Sequence, residues 1–146
     1  MPRFSASARS SVASTSLRGP SLYAPASLSR PKIREIGVFN TTATAVVVNV
    51  QRLTARGTPG TGITAAKHEA GSAAAGCTPY QTHTADATAG DEIVRATLGA
   101  AVGSGMVWTF GDYGLIIPDG ANTAGIGLLC PVGTGQILDF YIIWDE

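Results

Sequence analysis

The first 34 residues contain no Asp and no Glu. All ten acidic residues lie from position 35 onward, whereas six of the ten basic ones, Arg3, Arg9, Arg18, Arg30, Lys32 and Arg34, come before it. A neutral total therefore conceals a stretch of roughly +6 joined to a remainder of roughly −6. Charge is scarce altogether, at 14% of residues against the usual ~25%. This excludes a densely charged surface and leaves Thr, Ser, Ala and Gly to face solvent. No run of ~18 apolar residues is present, so no membrane-spanning helix is expected. The longest weakly polar stretch, Ala96 to Trp108, is interrupted by Gly99, Gly103, Ser104 and Gly105. Two cysteines, Cys77 and Cys130, are too few for a disulfide framework and read as reduced thiols. The N-terminus lacks the apolar core of a secretory signal. Sparse apolar residues there (Phe4, Val12, Leu17) and Pro2, Pro20, Pro25 and Pro31 argue against an amphipathic transit helix.

What is present divides at about residue 31. Residues 1–31 show no sustained period and predict an extended, basic N-terminal arm, with too little apolar surface to order itself alone. Residues 32–146 predict one domain of alternating strands. Val46, Val48 and Val50 share a face opposite Asn49 and Gln51; Val94, Ala96 and Leu98 repeat the device, as do Met106, Trp108 and Phe110. Leu115 with Ile117, then Ile126, Leu128 and Cys130, continue it. In the last segment Leu138, Phe140, Ile142 and Trp144 oppose Asp139 and Asp145, and a strand this apolar belongs at the centre of a sheet. Gly, Pro, Asp and Asn clusters at 40–44, 57–62, 88–91, 103–105, 111–114, 118–122 and 131–135 punctuate the series. The pattern predicts an all-β, antiparallel β-sandwich, jelly-roll-like, carrying the arm. Residues 57–90 resist the period and read as a long loop or a single helical turn.

Catalytic and ligand patterns are weak. GTPGTGIT at 57–64 lacks the G-K-[ST] ending of a phosphate loop, and Lys67 is out of register. His68, Glu69, Cys77 and His83 are metal-ligating types without the tight spacing of a zinc site. Ser104 is not in a nucleophile elbow. Asp91, Glu92, Asp112 and Asp119 read as turn residues rather than as a glycosidase pair, and Asn40-Thr41-Thr42 as a turn rather than a glycosylation site. The in-phase spacing of Trp108, Phe110, Phe140 and Trp144 fits core packing better than a sugar groove. No cofactor, no metal and no enzymatic activity are expected on these grounds.

The arm is then the candidate functional segment, with Arg3, Arg9, Arg18, Tyr23, Arg30, Lys32 and Arg34 as partner-binding residues. Six charges over 34 residues are thin for tracking nucleic-acid phosphates, so a protein surface is the favoured partner. Fully extended, 31 residues reach ~100 Å, enough to cross a neighbouring subunit.

The phrases RPKIREIGVFNTTATAVVVNVQRLTARGTPGTG and VGSGMVWTFGDYGLIIPDGANTAGIGLLCPVGTGQILDFYIIWDE resemble small virion proteins encoded among the head genes of tailed bacteriophages. The resemblance covers roughly residues 30–146 and rests on style and segment order. It implies a capsid decoration or cement protein with a jelly-roll-like body, homotrimeric on the outer surface of the virion and bound to the major capsid protein. On that view the arm anchors the body to the lattice, and a chain lacking residues 1–31 is expected to fold but not to bind. The competing expectation is a carbohydrate-binding or host-adhesion jelly-roll module working through the loops at 57–90 and 111–122.

Overall fold

A computed structural model describes residues 1–10, 12–26, 30–118, 120–121, 123–133 and 135–146. Among these the regular structure is strand alone. In chain order the strands are β1 (Arg3–Arg9), β2 (Ser21–Tyr23), β3 (Lys32–Asn40), β4 (Val46–Ala55), β5 (Thr58–Pro59), β6 (Ala66–Lys67) and β7 (Thr78–Tyr80). They continue with β8 (His83–Ala85), β9 (Thr88–Leu98), β10 (Gly105–Thr109), β11 (Leu115–Ile116), β12 (Gly125–Val132) and β13 (Leu138–Asp145). One sheet runs β10-β3-β13-β1-β6 with β11 also on β3; the second runs β7-β2-β12-β4-β9; β5 and β8 form a separate pair.

The winding follows from folding the chain back on itself at residues 56–87. That bend pairs β4 with β9, β3 with β10, β2 with β12 and β1 with β13, all antiparallel. Rolling the resulting ribbon adds β3 to β13 and β4 to β12. Eight strands so wound are a jelly roll, as the alternation predicts. As expected, β13 is internal, lying between β3 and β1.

The core is built from the inward faces of both sheets. Ile36 and Val38 on β3, Val46, Val48 and Val50 on β4, Ile126 and Leu128 on β12, and Leu138, Phe140, Ile142 and Trp144 on β13 are all buried. Each such side chain contributes ~1.5–3 kcal/mol by leaving water.

The expected boundary at residue 31 does not hold. Phe4 and Ala6 are buried on β1, and the Phe4 ring stacks on Trp144 with centroids 5.9 Å apart. Leu22, Tyr23 and Ala24 are fully buried around β2. The supposed arm supplies two of the eight jelly-roll strands, because the rolled ribbon needs a partner for β13 and another for β12.

Two local devices complete the frame. Ile33 and Ile36 are both fully buried although they stand three positions apart, which strict alternation forbids. The β3–β13 register shifts between Ile143 and Trp144, opposite Arg34, and this bulge absorbs the odd residue and turns Arg34 away from the core. At the end of β3, Asn40 is buried with its amide fully engaged. Its Nδ2 donates to Thr44 O (2.7 Å) and Gly99 O (3.0 Å), and its Oδ1 accepts from the Thr42 backbone N–H (3.0 Å) and hydroxyl (2.9 Å), the turn expected at this site.

Residues 56–87 hold neither a helical turn nor a plain loop. β6 joins β1 at the edge of one sheet and β7 joins β2 at the edge of the other, so this segment closes one side of the sandwich. Strands of two or three residues carry no readable period, which is why the sequence was silent here.

Candidate functional site

The seven residues predicted to reach a partner are mostly engaged within the chain. Arg3, on the outward face of β1, stands opposite Asp145 in the ladder and donates to it from Nε (2.7 Å) and Nη2 (3.2 Å). The bulge delivers Arg34 to the same carboxylate, with Nε 2.6 Å from Oδ2. Arg34 also donates to the carbonyls of Gly111 and Asp112. Burial by itself would raise the pKa of Asp145, but the hydrogen bonds and charges of Arg3 and Arg34 outweigh it and hold the carboxyl below its ordinary value. Arg9 repeats the arrangement on the open surface, with Nε and Nη2 on Asp139 at 2.8 and 3.1 Å, and this donation lowers the Asp139 pKa. The basic stretch and the acidic body therefore neutralise each other across the β1–β13 ladder.

Arg18 and Tyr23 lie beneath residues 56–87, where these cover the outer face of the second sheet. Arg18 is 4% exposed. It donates to the Asp86 carboxylate, the Gln51 side-chain carbonyl and Ala87 O (3.1 Å), and its backbone N–H donates to Asp86 at 3.0 Å. Tyr23 packs with Leu53, Ala87 and Tyr80 in a second, smaller apolar cluster. Its hydroxyl lies 2.9 Å from both Arg56 O and His83 Nε2. His83 Nδ1 donates to Gly19 O at 3.2 Å, and burial lowers the His83 pKa. Burial likewise pushes the Tyr23 phenol up to about 12. The Arg56 guanidinium lies over Tyr80 and Tyr23, 4.9 and 5.7 Å from the ring centroids. This buried network fastens the covering segment and is closed to a partner; Arg18 and Tyr23 are corrected from contact residues to fastenings. The signal for Arg18 was its isolation between apolar neighbours, which sequence alone cannot tell from exposure.

Lys32 is half-buried on β3, and Arg30 is exposed just before it. Of the seven, Arg30 is the one left exposed without an ion pair among the described residues.

The remaining candidates are dispersed. His68 and Glu69 are exposed, whereas His83 is buried in the network above. Cys77 and Cys130 are buried, unpaired thiols, and burial raises both, Cys130 to about 11. Asp91 and Glu92 sit on β9 and Asp112 in the turn after β10; Asp119 lies outside the described residues. Phe140 and Trp144 are core residues, and Trp108 and Phe110 pack half-buried against that core, in keeping with their spacing.

One side of the sandwich differs from the rest. Opposite the side closed by β6 and β7, the outer edges of β9 and β10 pair with no other strand among the described residues. No charged residue occurs from Ala96 to Gly111. Val102 is 73% exposed, Met106 40%, Val107 42% and, just beyond, Tyr113 88%. Most of the large apolar side chains left in water among the described residues thus gather on β10 and its flanking loops; Met106, expected to face inward with Trp108 and Phe110, is itself exposed there, on a strand at the end of its sheet.

The chain matches no family model, no curated protein and no solved structure.

Proposed function

We propose that the chain is a virion structural protein, a capsid decoration or cement protein that assembles as a homotrimer and binds a lattice of major capsid protein from its outer surface. The observation that carries this reading is the charge-free, apolar free edge of β10 on a jelly roll whose opposite side is closed. An unprotected edge strand offers backbone N–H and C=O groups to a neighbour, and soluble proteins ordinarily guard such edges with charge or Pro. The absence of either along Ala96 to Gly111 supports an edge that is covered in use. β10 belongs to one sheet and the neighbouring free edge, β9, to the other. A β10-to-β9 contact between copies is therefore heterologous, and a rotation that closes it gives a ring, of which a trimer is the smallest example. Such a ring fits a three-fold position of an icosahedral lattice, where repetition multiplies weak contacts.

The anchoring role falls to the surface of this ring rather than to an N-terminal arm, since β1 and β2 are committed to the fold. The test is co-sedimentation of the full chain with capsids reconstituted from the major capsid proteins of tailed bacteriophages. Saturable, stoichiometric binding that raises the temperature at which the capsids come apart is expected. Absence of binding, together with selective retention on a glycan array, would replace this reading with the carbohydrate-binding one.

A further inference from the structure

Five arginines, Arg3, Arg9, Arg18, Arg34 and Arg95, form ion pairs with carboxylates of the chain, and Arg56 is stacked on Tyr23 and Tyr80. The two others, Arg30 and Arg52, form no ion pair among the described residues, and both line one groove of about 570 Å³. Between them the wall is aliphatic, made by Leu53, Ile116, Pro118 and Ala124. Arg52 reaches from β4 in one sheet to β11 at the edge of the other, its Nη1 donating to Ile116 O at 2.8 Å, so its guanidinium is held in place before any ligand arrives. Arg30 is exposed and lines the groove with it.

We propose that this groove is a binding site for an acidic peptide segment, one or two Asp or Glu side chains flanked by apolar residues. Everywhere else the chain quenches its guanidiniums with its own carboxylates or aromatic rings. Two guanidiniums with neither kind of partner among the described residues, at a concave wall, produce a local positive field, and an oriented guanidinium recognises a carboxylate through paired N–H donors. The aliphatic wall between them suits the apolar side chains that flank an acidic residue in a peptide. It offers no aromatic ring for a sugar or a base to stack on, and two cations are too few for the backbone of a nucleic acid. The site lies beside β9, whose Gly90 approaches Arg52 and Thr54, and its recognition of a carboxylate does not depend on the assembly reading above.

The test is selection of a random dodecapeptide library on the full-length protein, followed by fluorescence anisotropy of the enriched peptides. Enriched sequences are expected to carry Asp or Glu between apolar residues and to bind at least tenfold more weakly when those acids become Asn or Gln. Their affinity is expected to fall with added salt. Binding is also expected to drop at least tenfold in the R30E variant, whose substitution removes no ion pair among the described residues, and in R52Q, each checked for an unchanged circular dichroism spectrum. Enrichment without acidic residues, equal binding to R30E, or no enrichment at all would overturn the proposal. Tighter retention of a uronic-acid oligosaccharide or of inorganic phosphate than of any selected peptide would overturn the peptide assignment.

Discussion

Asp145 is the second-last residue and is 4% exposed, yet it remains charged because two guanidiniums, from positions 3 and 34, converge on it. Replacing it with Asn keeps the shape and removes the charge, leaving Arg3 and Arg34 facing each other without a counterion. Asp145→Asn is expected to destabilise the fold by about 2 kcal/mol, measured by urea unfolding, since hydrogen bonds to charged groups contribute ~1.5–3 kcal/mol each and part is retained by the amide. Asp145 and Asp139 both have folded-state pKa values below their unfolded ones, so their stabilisation is present above the ordinary carboxylate range and is lost as pH falls through the folded values. His83 acts earlier on the same descent. Its folded pKa is depressed below 6.5 by burial, so the neutral ring stabilises the fold above that pH and the contribution disappears as acid protonates it. Unfolding free energy is therefore expected to decline below about pH 6.5, and His83→Gln, followed by the same titration, is expected to flatten that part of the curve. None of these roles was legible in the sequence, where a basic residue at position 3 and an acidic one at 145 are as distant as the chain permits.

At the scale of the element, the legible strands were those whose inward residues are branched or aromatic. β4 and β13 announce themselves through Val46, Val48 and Val50 and through Leu138, Phe140, Ile142 and Trp144. β1 follows the same period with Phe4, Ala6 and Ala8 against Ser5, Ser7 and Arg9, but Ala beside Ser makes a contrast too faint to separate from a disordered tail. The bulge at Arg34 hid β3, because Ile33 and Ile36 fall out of phase. The consequence is a prediction opposite to the one the arm suggested. A chain starting at residue 32 lacks the partner of β13 on one side and of β12 on the other, exposing Trp144, Ile126 and their neighbours. It is expected to lose cooperative unfolding and near-ultraviolet circular dichroism, and to aggregate, whereas the full chain unfolds in one transition. The side opened by this deletion would also carry no cover, because β6 and β7 hang on β1 and β2.

At the scale of the whole molecule, the free β9–β10 side is the surface through which we propose that copies associate. Val107 points outward from β10 at 42% exposure, so a charge placed there is compatible with the monomer and costly in a packed interface. Val107→Lys is expected to leave the unfolding midpoint of the dilute protein nearly unchanged and to convert a trimer to a monomer in sedimentation equilibrium. A variant that stays trimeric would move the interface elsewhere. The all-β class, the antiparallel sandwich and the inner position of β13 were properties of local alternation, and alternation is written residue by residue along the chain. Which charges meet was not local. Arg3 and Asp145, 142 residues apart, become neighbours only when the ribbon is rolled and the two ends of the chain lie in one ladder. The same rolling turned a basic stretch that looked outward-reaching into two internal strands, and it left Arg30 and Arg52 as the arginines with neither an ion pair nor an aromatic ring against them among the described residues.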